Sequence, residues 1–187
     1  METENKQVLR LDHLIGETNA IYHEMSLYLG LSDSISSILY TLYCEGGRVS
    51  VSDLCRQTGL SRQTVHSALS HLKEDGTIIL ESVDRKSKRA CLTESGMAFA
   101  SQTVARIFEA ENHVFDGWPR EDVARYLDLM KRFRDDLSVC AKEVLADSRT
   151  MPSVTAVSVS LRSLPSFFSM NSRLCSPPLR SRSWDCS

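Results

Sequence analysis

The chain has 187 residues, 42% of them hydrophobic and 25% charged, with a formal net charge of −2, a composition normal for a globular protein with a real core. No stretch approaches the roughly 20 apolar residues that span a bilayer, and the opening Met1-Glu2-Thr3-Glu4-Asn5-Lys6 lacks the pattern of a secretory signal. A cytoplasmic protein is expected, with its six cysteines (Cys44, Cys55, Cys91, Cys140, Cys175 and Cys186) as reduced thiols, since none forms a C-x-x-C pair.

The first segment, Val8 to Leu29, places Val8, Leu11, Leu14, Ile15, Ile21, Met25 and Leu29 at helical spacing. Gly30 is its stop and Ser32 the cap of a second helix carrying Ile35, Ile38, Leu39, Leu42 and Tyr43. That helix ends at Gly46-Gly47, and Val49 is a short extended residue at most. Ser50 followed by Asp53 resembles a capping box: a hydroxyl for an orphan N–H, then an acid near the positive helix end. A short helix follows from Val51 to Thr58, broken by Gly59. Ser61 caps the next helix, which runs to about Asp75 and stops at Gly76.

Residues Thr77 to Ser82 read as a strand, followed by the charged turn Asp84-Arg85-Lys86-Ser87-Lys88-Arg89 and a return strand, Ala90-Cys91-Leu92. Thr93 caps one long helix through about His113, and Gly117-Trp118-Pro119 interrupts it. A last helix, about Arg120 to Leu145, carries Val123, Tyr126, Leu127, Met130, Phe133, Leu137, Cys140 and Val144 on one face. From Asp147 the character changes. Twelve serines and four prolines fall in the last 41 residues, which hold no Lys, Gly, Glu, Gln or His. Such a segment reads as disordered or as a loose appendage, and a frameshifted, non-native end is the alternative.

The organisation expected is therefore a dimerisation helix over 1–30, a DNA-binding lobe over 31–92, long helices over 93–146 and the tail over 147–187. The fold class is mainly α with a small β-hairpin wing.

The segment from Val51 to Val65 has the logic of a helix-turn-helix. Leu54 and Cys55 face inward, Gly59 takes a left-handed turn at little cost, Leu60 plugs the corner, and Val65, Leu69 and Leu72 pack the second helix. In this motif the second helix enters the major groove by its N-terminal part. Arginine can bind guanine and glutamine can bind adenine in bidentate fashion, so Arg62 and Gln63 are the base-reading candidates. Ser61, Thr64 and Ser67 suit phosphate oxygens, helped by the positive helix end at Ser61. His66 faces the DNA or the wing. The hairpin tip sets Arg85, Lys86, Lys88 and Arg89 against one acid, a local net of +3 suited to a phosphate backbone or minor groove. From Arg48 to Arg89 eight basic residues face five acids, a net of +3 within a chain of −2, which leaves −5 on the rest.

The run from Asp84 through Leu92-Thr93-Glu94-Ser95-Gly96, preceded by Leu69-x-x-Leu72-x-x-x-Gly76 and Ile78, resembles the MarR family of bacterial transcription regulators, over about Leu9 to Val144. The family often carries arginine two residues after the wing acid. Lys86 stands there, keeping the charge without the planar fork. The resemblance implies a winged helix-turn-helix homodimer built by the first and last helices, reading a pseudo-palindromic duplex with half-sites about 34 Å apart, more often as a repressor. It also implies release by a small-molecule effector in a pocket between the first, second and fifth helices; His13, Tyr22, His23, Tyr40 and Tyr43 lie on the first two, where they read first as core or interface residues with satisfied polar tips. The wide apolar faces of the first and last helices agree with a dimer.

No enzyme is expected: neither a Ser-His-Asp set nor a glycine-rich phosphate loop nor a carboxylate pair stands out, and a Ser-rich tail of this length houses no catalytic domain. No cofactor and no metal are expected, since His66 and His71 are five apart and do not share a helix face. Two alternatives stand beside the main reading. One is a thiol-based redox regulator, with Cys44 as the sensing residue. The other is a winged-helix module that binds protein without DNA, which the cationic wing argues against.

Overall fold

The computed structural model describes residues 2–84 and 87–147. Helix α1 (Glu2–Tyr28) leads through Gly30 to α2 (Asp33–Cys44), then to β1 (Arg48–Ser50), α3 (Val51–Thr58) and α4 (Arg62–Glu74). Strands β2 (Ile78–Ser82) and β3 (Lys88–Leu92) follow, then α5 (Glu94–Gln102), α6 (Val104–Asp116) and α7 (Arg120–Asp147). The Ser-rich tail lies outside the described residues from 148 onward, as do Arg85 and Lys86.

Each cap expected from sequence forms. Ser32 Oγ accepts from the Ile35 N–H, Ser50 Oγ from Asp53, Ser61 Oγ from Thr64 and Thr93 Oγ1 from Gly96, each satisfying an amide the helix leaves without a partner. Gly59 ends α3 at φ +66°, the left-handed turn that points α4 away from α3.

Two details differ from the sequence reading. Val49 is the centre of a true strand: β1 pairs antiparallel with β3 (Val49 opposite Ala90), and β3 pairs with β2 (Leu80 opposite Ala90), giving a three-stranded sheet in the order β1-β3-β2. The helix after Thr93 is also two helices. At Thr103 the backbone leaves the helical region (φ −116°, ψ −87°), while its hydroxyl donates to the Phe99 carbonyl at 2.7 Å and its N–H bonds the Ala100 carbonyl. A side chain that competes for the carbonyl four residues back loosens a helix at that point.

The core is built around α2, whose residues 36–42 are all buried. Ile38, Leu39 and Leu42 meet Leu54 of α3, Val65, Leu69 and Leu72 of α4, Ile78 of β2, and Ala100, Val104 and Ile107 of α5 and α6. The serine and threonine residues inside α2 do not break it, because they can turn inward onto their own helix. Thr41, for example, donates to the Ser37 carbonyl at 2.8 Å. Helices α1 and α7 are far less covered. Leu14, Ile21 and Leu27 on α1, and Leu129, Leu137 and Val144 on α7, remain exposed in the single chain. Between them lies an almost wholly apolar cleft of about 290 Å³, lined by Leu11, Ile15, Tyr126, Leu129, Met130 and Phe133.

Candidate nucleic-acid interface

The apolar side of α4 fixes its polar side. Val65, Ala68, Leu69 and Leu72 are buried against α2 and the sheet. With that stripe inward, Arg62, Gln63, His66, Ser67, Ser70 and His71 are exposed and Thr64 is half-buried. Ser61 Oγ takes the Thr64 N–H at 3.1 Å and lies 2.7 Å from the Thr64 hydroxyl, so these two side chains cap the helix. Ser61, Arg62 and Gln63 are exposed there, at the positive end of the helix dipole.

A groove of about 420 Å³ runs alongside. Gln63, Thr64, Ser67 and His71 of α4 form one wall, and Ser32, Ser34 and Ile35 at the start of α2 form the other. Sequence reasoning placed Gln63, Thr64 and Ser67 at the interface but missed Ser32 and Ser34. Ser32 carried only the signal of a helix cap and Ser34 none, and a cap does not say that the start of α2 lies beside α4.

The wing carries its cations unevenly. Lys88 is exposed. Arg89 is half-buried, stands opposite Glu81 on β2 and shares the outer sheet face with Cys91 and Arg48. Burial pushes the Cys91 thiol above its usual range, and a hydrogen bond with Glu81 adds to that. Asp84, read from sequence only as the acid among four cations, shapes the turn: Oδ1 accepts the Ser87 N–H at 2.7 Å while the Val83 N–H reaches the Ser87 carbonyl at 3.0 Å. Arg85 and Lys86 fall between these anchors, outside the described residues.

The Leu92-Thr93-Glu94-Ser95-Gly96 run joins the wing to the following helix by close backbone packing. The Thr93 N–H donates to the Thr77 carbonyl at 3.0 Å, and its hydroxyl reaches the Gly76 carbonyl at 2.8 Å. A Cβ on Gly96 would stand 1.9 Å from the Thr77 oxygen, so only glycine fits.

Cys44 is half-buried at the end of α2, packed against the core. Among the described residues no group of three or more His, Cys, Asp or Glu side chains is placed to hold a metal ion, and no helix is long and apolar enough to cross a membrane.

The sequence profile of the MarR family matches residues 29–90, from the end of α1 through β3. Residues 29–90 are of the MarR family. Solved structures extend the likeness in fold beyond that lobe. A MarR family regulator from Neisseria meningitidis is 25% identical and superposes with a TM-score of 0.56 over 74% of this chain and 98% of its own. CouR from Rhodococcus jostii RHA1, bound to p-coumaroyl-CoA, is 23% identical, with a TM-score of 0.55 over 66% of this chain and 87% of its own. A MarR family transcriptional regulator from Rhodococcus sp. RHA1 is 21% identical, with a TM-score of 0.55 over 70% and 93%. No curated protein matches the chain in sequence. The MarR-type lobe thus includes both helices of the helix-turn-helix, and the long helices on either side follow the same fold.

Proposed function

We propose that this protein is a sequence-specific, double-stranded-DNA-binding transcription regulator that acts as a homodimer and has no catalytic activity. The observation that carries the reading is α4: a capped helix in a MarR-type lobe, its apolar stripe buried and Arg62, Gln63, His66 and Ser67 left in solvent beside a wing that presents Lys88. Arg62 and Gln63 read base edges in the major groove. Ser61, Thr64 and Ser67 bind phosphate, and His66 adds a contact along the same helix. Arg85, Lys86, Lys88 and Arg89 hold the backbone or the minor groove. Arg89 contributes least of the two described wing cations, because Glu81 lies opposite it.

Two copies join through α1 and α7. The apolar side chains exposed on these helices support this, since patches of that kind mark interfaces. Two recognition helices on a two-fold axis call for a pseudo-palindromic site. A small-molecule effector that releases the DNA fits the fold, as CouR holds p-coumaroyl-CoA.

The test is selection of duplexes from a random pool by the full-length chain. An inverted repeat should emerge. Arg62→Ala or Gln63→Ala should then lose about 1–3 kcal/mol of discrimination at one base pair of each half-site. A pool that yields no enriched sequence refutes the reading. Variants that bind the selected duplex as tightly as the unmodified chain refute the base-reader assignment.

A further inference from the structure

Glu111 lies on α6, half-buried, and each oxygen of its carboxylate accepts a hydrogen bond from a tyrosine on a different helix. Oε1 takes the hydroxyl of Tyr22 from α1, and Oε2 takes the hydroxyl of Tyr40 from α2. Tyr40 is buried, at 6% exposure. Phe108, one turn earlier on α6, packs edge-on against Tyr40 and Tyr43 with ring centroids 6.4 Å away in each case. One face of α6 is therefore pinned across α2 by an aromatic contact and a carboxylate, and the same carboxylate pins α1. On α2, the helix that carries Tyr40, Ile38, Leu39 and Leu42 belong to the core in which α4 is seated. A continuous chain of contacts runs from α1 and α6, through Glu111 and Tyr40, to the core that seats the recognition helix.

The chemistry is selective. An ionised carboxylate only accepts, has two equivalent oxygens, and forms stronger hydrogen bonds than a neutral acceptor does. Glutamine in its place keeps one acceptor oxygen and presents an NH₂ to the other phenol, which must then turn to accept, so one charge-assisted bond becomes a weaker neutral one of reversed direction. Aspartate is a methylene short and does not reach both. Nothing in the local sequence marks the residue: Glu111 stands among Glu109, Ala110 and Asn112 as an ordinary helical acid.

We propose that Glu111 is a positioning residue: by holding Tyr22 and Tyr40 at once it fixes the angle of the DNA-binding lobe on the long helices, and so the spacing between the two recognition helices of a dimer. The proposal rests on the DNA-reading function given above, and one arm of its test does not. Half-site spacing is a geometric demand of two-fold binding, so a loosened junction relaxes spacing before it relaxes base reading.

The full-length chain is labelled with 3-fluorotyrosine, and its fluorine resonances are assigned with Tyr22→Phe and Tyr40→Phe. Glu111→Gln should move the Tyr22 and Tyr40 resonances and leave that of Tyr126 in place. On a duplex selected by the unmodified chain, Glu111→Gln and Glu111→Ala should bind at least tenfold more weakly. One base pair inserted between the half-sites should penalise them far less than it penalises the unmodified chain, and binding to an unrelated duplex should not change. A purely structural role would weaken both duplexes alike. Formate, small enough to take the place of the missing carboxylate, should restore Glu111→Ala where chloride at equal ionic strength does not. Unmoved Tyr22 and Tyr40 resonances, unchanged spacing preference, or formate acting only as chloride does would each overturn the proposal. If the unmodified chain selects no duplex, the DNA-reading function fails, while the fluorine arm still decides whether Glu111 holds both phenols.

Discussion

Gly96→Ala isolates the junction between the wing and α5. The added Cβ would stand 1.9 Å from the Thr77 carbonyl oxygen and 2.8 Å from its carbon. Real Cβ atoms keep at least 3.0 Å, so the backbone must open by about 1.1 Å at that point. Neither side is free to move. Gly96 is in the first turn of α5, held by the Thr93 cap, and the Thr77 oxygen accepts both the N–H and the hydroxyl of Thr93. Overpacking of this kind costs about 1–3 kcal/mol, and each strained hydrogen bond adds about 1 kcal/mol. The better helix propensity of alanine returns about 1 kcal/mol. The net is a loss of roughly 2–4 kcal/mol, or about 6–12 °C in Tm for a domain of this size. Thermal and urea denaturation followed by far-ultraviolet circular dichroism read it directly, the midpoint falling with the urea slope unchanged. A variant that melts within 2 °C of the unmodified protein would show that the contact between Gly96 and Thr77 does not constrain the junction.

Lys88→Ala should weaken binding to every duplex sequence alike and reduce the salt slope of log K by about 0.9 per protomer. An unchanged slope removes Lys88 from the phosphate contacts. Leu129→Glu, on the exposed face of α7, should dissociate the dimer: burying a leucine contributes about 1.5–3 kcal/mol, it is lost twice in a two-fold assembly, and the Kd should rise at least a hundredfold by sedimentation. Cys91 should resist iodoacetamide at neutral pH in the folded chain, because burial and Glu81 hold it as the neutral thiol, and should react in the urea-unfolded chain. Equal labelling of Cys91 in the folded and unfolded chains by mass spectrometry contradicts that. Asp53 is held below the usual carboxylate range, first by a hydrogen bond from Arg56 and then by one from Ser50. Its pKa is depressed in the folded state, so its contribution is complete above the unfolded value of 3.8 and is lost as pH falls through the lower folded value. The pair is half exposed, so the effect is small. Asp53→Asn should flatten the stability profile only in that acid window.

The helix-turn-helix was legible because local chemistry dictates it. Ser61 caps α4, Gly59 takes the left-handed turn, and Val65, Leu69 and Leu72 repeat at helical spacing whatever surrounds them. The split at Thr103 was not legible. A threonine that bends a helix and one that rides along it look alike in sequence, and the deciding factor is the burial of Val104 and Ile107 in the core, which sets the direction of α6. The third strand was missed for a related reason: β1 is three residues long and exists only because β3 offers it a free edge. Ser32 and Ser34 entered the groove beside α4 by tertiary approach alone, and Glu111 meets residues 89 and 71 positions away.

Helix α2 accounts for much of what was hidden. Its apolar residues Ile35, Ile38, Leu39, Leu42 and Tyr43 suggest a one-sided stripe, yet residues 36–42 are buried all round, including Ser36, Ser37 and Thr41. A helix covered on every face cannot slide against one neighbour without disturbing the others, because a close-packed interior transmits strain. α2 also starts at the groove beside the recognition helix and carries the tyrosine that Glu111 holds. A ligand between the helices, or strain from the proposed dimer contact, would therefore reach the recognition helix most directly as a tilt of α2 as a whole. Substitutions along its buried polar positions should follow that logic. Ser37→Val would bury two methyl groups where a hydroxyl now sits. If α2 moves as a rigid strut, it should shift DNA affinity and thermal stability together, whereas a change in stability with DNA affinity untouched would mean that α2 yields locally and carries no such tilt.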